Sequence, residues 1–133
     1  MNWVEVLWPM ISAACLTMAG MHTLVWIKSR WSPANLAFAV LAASVAAIAA
    51  FELVMMRAES PAEFGALLRW QLVPVFVGFV AILAFIRFYF NTGRTWLLHA
   101  VWTTRLAGLI LNFSVYPNVV YSRINGLRHI ELF

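Results

Sequence analysis

Residues 35–57 read NLAFAVLAASVAAIAAFELVMMR, and this stretch decides the fold. From Ala34 onward it contains no Gly and no Pro, and no charge until Glu52. The next charge is Arg57. A membrane-spanning helix needs about 20 mostly apolar residues, and the run supplies them. Glu52 is the exception inside an otherwise uniform span. A charged side chain costs roughly 2.5–3.5 kcal/mol at the helix centre on insertion scales, and less near the interface. Glu52 therefore calls for a neutralising partner.

The chain outside this stretch has the same character. Its 133 residues are 64% hydrophobic and only 11% charged, with mean hydropathy +0.85. Soluble domains carry roughly 25% charged residues, so the composition is that of an integral membrane protein. Long unbroken apolar runs exclude a transmembrane barrel, which needs alternating segments of about 10 residues. The expected fold is all-α, with four transmembrane helices in an antiparallel up-down bundle over residues 6–27, 34–57, 64–90 and 95–116.

Working outward, Ser32-Pro33 offers a cap and a first helical position for the second span. Ser60-Pro61-Ala62-Glu63 has the form of a capping box for the third. Pro74 lies inside that third span, where it removes one backbone bond. Gly93, in Asn91-Thr92-Gly93-Arg94, suits the helix C-cap. Residues 117–133 are too polar to span and form an outer-face tail or interfacial segment. Trp3, Trp8, Trp26 and Trp31 bracket the first span as interfacial anchors. That span lacks the basic leader and cleavage pattern of a signal peptide.

The net charge is +4, but the nine basic residues lie mostly at span ends and form no nucleic-acid patch. Lys28, Arg30, Arg87 and Arg94 flank the first and third connections, whereas Arg57 is balanced by Glu59 and Glu63. Basic residues favour the cytoplasmic side, so the N-terminus and the second connection are expected outside. Cys15 is the single cysteine and has no internal disulfide partner.

Glu52 and Arg69 each lie about five residues inside their spans, hence at a common depth of roughly 7–8 Å. This predicts an ion pair, with Trp70 and Gln71 beside it. Arg105 falls near the bilayer middle with no carboxylate at its depth. The alternatives are that it snorkels to the interface, bonds Thr17 or backbone carbonyls, or pairs with a group outside this chain. Asn112 and Asn118 flank the outer end of the fourth span. His22 and His99 share a depth near the cytoplasmic end and are candidate haem ligands. No metal cluster, P-loop, GxGxxG motif or Ser-His-acid set is present, so no cofactor, metal or catalytic residue is assigned.

Several elements form a recognisable set. They are Val25-Trp26, Ala34-Asn35-Leu36-Ala37-Phe38, Phe51-Glu52-Leu53, residues 57–64 (RAESPAEF), Leu68-Arg69-Trp70, Phe88-Tyr89-Phe90, residues 93–97 (GRTWL) and Leu111-Asn112-Phe113. Together they resemble the N-terminal membrane region of bacterial sensor histidine kinases and related signalling proteins. The resemblance implies the first part of a seven-helix domain in the bacterial inner membrane, coupled to a cytoplasmic transmitter and dimeric through its parent protein. It implies detection of an outer-leaflet or periplasmic cue, with Glu52, Arg69, Trp70, Arg105 and Asn112 as candidate signal residues. It implies no enzyme activity in this chain itself. Two other classes stand beside it. One is a small four-helix redox or transport subunit, whose sharpest form binds haem through His22 and His99. The other is an assembly subunit without a ligand.

Overall fold

A computed structural model describes residues 3–29, 32–115, 120 and 121. These residues form four α-helices and no strand: α1 Trp3–Lys28, α2 Pro33–Met55, α3 Pro61–Phe90 and α4 Thr95–Ser114. The α1, α2 and α3 helices are long and apolar enough to cross a membrane, and α4 is not among them. The four-span expectation is thus met for three helices. The polar residues His99, Thr103, Thr104, Arg105 and Asn112 dilute the fourth.

The helix starts follow from local chemistry. Pro33 and Pro61 sit in the first turns of α2 and α3, where a missing N–H leaves nothing unsatisfied. Ser32 has extended cap geometry, but its side chain makes no capping bond. Ser60 does cap: its Oγ accepts from the Glu63 N–H at 3.2 Å. Glu63 reaches back to the Glu59 N–H at 3.1 Å, which closes a variant of the capping box. The start of α3 is therefore Pro61, three residues before the expected boundary. At its other end the left-handed cap is Asn91, with φ 49°, and not Gly93. Asn tolerates this conformation because its short polar side chain bonds locally. Pro74 is accommodated without ending α3.

Successive helices run antiparallel, and contacts between each pair show the register. Ser12 donates to the Ala46 carbonyl at 3.2 Å, while His22 meets Asn35 at 3.1 Å. Between α2 and α3, Phe38 meets Phe85, Ser44 packs on Gly78 and Glu52 meets Gln71. Between α3 and α4, Arg69 meets Asn112 and Phe79 meets Arg105.

The described helices form a row and not a closed bundle. The α2 helix lies between α1 and α3, α4 touches only α3, and α1 reaches neither α3 nor α4. The Ala-rich stretch explains the central place of α2. Ala37, Ala39, Ala42, Ser44, Ala46 and Ala49 are all buried. Small side chains let backbones approach closely on two sides, and in lipid that close packing replaces the hydrophobic drive. Gly78 on α3 continues the fit, since a Cβ there would stand 3.4 Å from the Ser44 Cβ. By contrast, α1 buries only Ala19 and presents Leu7, Ile11, Leu16, Met21 and Leu24 outward.

Candidate functional site

The site begins at the end of the molecule where α2 finishes, α3 starts and α4 finishes. Glu52 is in the last turns of α2 and is partly buried. Its Oε1 accepts from Gln71 Nε2 at 2.7 Å, and Gln71 itself is buried. The expected Glu52–Arg69 ion pair does not form. Glu52 is level with the 69–71 stretch of α3, as the register predicted, but azimuth decides the partner. Two residues turn a helix by about 200°, so Gln71 and Arg69 occupy opposite faces of α3. Gln71 meets α2, and Arg69 meets α4.

Arg69 performs a different task from the one its charge suggested. Its Nε donates to the Asn112 carbonyl at 3.1 Å, and its Nη2 donates to the Phe113 and Val115 carbonyls at 2.5 and 3.3 Å. These carbonyls belong to the end of α4, where no further turn supplies donors. The guanidinium therefore caps α4 and opposes the negative end of its dipole. Asn112 returns the contact, its Nδ2 donating to the Arg69 carbonyl at 3.0 Å. Asn112 is 0% exposed, and its Oδ1 has no donor among the described residues. Trp70, 58% exposed, sets its ring edge-on to Phe113 at 5.3 Å. The Arg69 guanidinium also stands 5.3 Å from the Phe113 ring centroid. The result is a two-way latch between α3 and the end of α4.

Elsewhere α4 is loosely held. Residues 95–104 are exposed except for Leu98. Between the two helices opens an apolar cleft of about 250 Å³. Leu72, Phe76 and Phe79 line it from α3, while Thr104, Arg105 and Gly108 line it from α4. The Arg105 guanidinium lies 3.9 Å from the Phe79 ring centroid. The expected Thr17 contact is absent, because Thr17 donates to Ala13 on α1, a helix that α4 does not touch. A desolvated cation–π contact is worth about 2 kcal/mol. For an Arg at the middle of a membrane span the insertion cost is roughly 2.5–3.5 kcal/mol, more than one ring contact offsets.

His22 and His99 are not brought together. His22 bonds Asn35 through Nδ1 at 3.1 Å, and its ring lies tilted against Phe38 with centroids 4.2 Å apart. His99 is exposed on α4, and α1 and α4 do not touch. A haem held between these two residues therefore has no geometric basis here. Among the described residues no group of three or more His, Cys, Asp or Glu side chains is placed to hold a metal ion. Asn118 and the tail 117–133, apart from Val120 and Tyr121, lie outside the described residues.

Sequence reasoning missed Asn35 as the partner of His22, and the Phe38–Phe85–Tyr89 ring contacts that carry the opposite end of the row. Phe38 and Phe85 were visible only as apolar residues within spans.

Comparison with protein-family models, curated proteins and solved structures found no match.

Proposed function

We propose that the chain is the membrane-embedded sensory input region of a bacterial signal-transduction protein of the sensor histidine kinase type. The observation that carries this reading is the attachment of α4. A latch of Arg69 and Asn112 holds its end to α3, while residues 95–104 stay largely exposed. An element fastened at one end and free along the other half is suited to two discrete positions, as switching elements require. In this reading all four helices lie in the inner membrane, and the basic connections after α1 and α3 face the cytoplasm. The latch and the Glu52–Gln71 contact then lie toward the outer leaflet. A cue that weakens or tightens the latch displaces α4, and the displacement passes to a cytoplasmic transmitter. The motif set from Val25 to Phe113 supports the same reading by resemblance. This chain supplies detection, and catalysis belongs to the transmitter.

The test is made in the full-length parent. Arg69→Met and Asn112→Ala are each expected to shift basal signalling output and to blunt the response to stimulus. Wild-type output and wild-type response in both variants would sink the reading.

A further inference from the structure

We propose that the cleft between α3 and α4 binds one anionic lipid, with its acidic head on Arg105 and one hydrocarbon chain against Leu72, Phe76 and Phe79. This rests on the sensory reading and names the chemical class of its cue. Three observations point to such a ligand.

The first is depth. Arg105 packs on Phe79, which lies roughly 16 Å inside the Phe90 end of α3 and roughly 27 Å from the Pro61 end. In the sensory reading a cation held there is in hydrocarbon, and intramembrane cations pair with an anion or a polar pathway. The second is that no carboxylate among the described residues faces Arg105. No carboxylate occurs in residues 64–115. Of the described carboxylates, Glu52 is engaged by Gln71, Glu59 and Glu63 lie at the α3 start, and Glu5 is on α1, which does not touch α4. The third is shape. The cleft walls are apolar, and a Cβ at Gly108 would meet nothing within 4 Å, so the glycine leaves open floor beside Arg105. Thr104 adds no free hydroxyl proton, since it donates to Ala100 at 2.7 Å. The polar recognition is therefore a single cation, and the remaining lining accepts hydrocarbon. At about 250 Å³ the cleft is below the roughly 300 Å³ at which ordinary small-molecule sites begin. It therefore takes a segment of one hydrocarbon chain and not the whole of a diacyl lipid.

Long-chain carboxylates and anionic phospholipids share this chemistry, and two arms separate them. The purified chain is carried in neutral-lipid nanodiscs and released for native mass spectrometry. It is titrated with stearate in one arm and with phosphatidylglycerol in the other. One saturable adduct is expected in at least one arm, and the arm that gives it identifies the source. Arg105→Gln should weaken the adduct roughly tenfold or more, the loss of one charge-assisted contact. Gly108→Leu keeps the charge but fills the floor, and it should weaken the adduct comparably. Arg94→Gln, at the far end of α4, should leave it unchanged. The uncharged alcohol octadecanol should bind at least tenfold more weakly than stearate. Circular dichroism checks that each variant keeps its helices.

Absence of a saturable adduct on the unmodified chain overturns the proposal, as does equal binding by Gly108→Leu or by octadecanol. Cross-linking of Arg105→Cys to a helix of another protein chain, with no lipid adduct, would assign the cation to a protein carboxylate instead. Either failure leaves the latch variants, and hence the sensory reading, separately testable.

Discussion

Replacing Arg69 by Met removes the main fastening of α4. Three carbonyls, those of Asn112, Phe113 and Val115, lose their donor at once. A hydrogen bond to a charged group is worth about 1.5–3 kcal/mol. The three bonds share one guanidinium, so they do not add, and the dipole attraction is the same charge counted another way. A net loss of about 3 kcal/mol is therefore expected for docking of the α4 end, roughly a 100-fold change in equilibrium. What remains is weaker. The Asn112–Arg69 backbone bond contributes about 0.6 kcal/mol at the measured average for membrane helices. The Trp70–Phe113 contact contributes about 0.5–1.5 kcal/mol. The assay is a spin-label distance measurement in nanodiscs, with Cys15→Ser as background and labels at the exposed positions Ala66 and Leu111. The parent should give one narrow distance, and Arg69→Met a broad, longer one. Arg69→Lys should recover only part, because an ammonium keeps the charge but not the fork. An unchanged narrow distribution in Arg69→Met would refute the latch.

Three further outcomes follow from the packing. Gln71→Leu strips Glu52 of its donor and should destabilise the α2–α3 pair by about 2 kcal/mol in a detergent unfolding titration. The double variant Glu52→Leu with Gln71→Leu should be milder, since no carboxylate is then left without a donor. Gly78→Leu should cost roughly 1–3 kcal/mol by forcing α2 and α3 apart. Gly78→Ala should be nearly neutral, because its Cβ would meet Ser44 at 3.4 Å; equal losses in the same titration would show that the close approach is unimportant. Ser60→Ala should cost about 1 kcal/mol through loss of the α3 cap, seen as faster amide exchange at Ala62 and Glu63 with no change in α2.

The four helices and the positions of their ends were largely legible, but their arrangement in a row was not. Each run in the sequence carries its own evidence of length, and Ser60-Pro61-Ala62-Glu63 is a local signal that needs no distant partner. The polar dilution of the fourth run was also visible, although the expectation of a fourth span weighed its length above it. The site was legible only in part. Glu52, Arg69 and Asn112 were singled out, and each does make an interhelical contact. Their pairing was wrong because counting residues from a helix end yields depth alone. Rotation about the helix axis decides which neighbour a side chain meets, and it depends on how α3 settles between α2 and α4. For the same reason Gln71 was seen only as a neighbour of Arg69.

By itself, then, the sequence determined that this is an all-helical chain with spans apolar enough for a membrane, because hydropathy and capping act over one helix at a time. It also raised the expectation that Glu52 and Arg105 need partners, because the cost of a charge in lipid rises with its depth. The tertiary structure alone decided who those partners are. It directed Glu52 to Gln71, turned Arg69 into the cap of α4, separated His22 from His99 by two helices and laid Arg105 on Phe79 beside an open cleft. These outcomes depend on helix azimuth and helix order, which short-range signals do not carry.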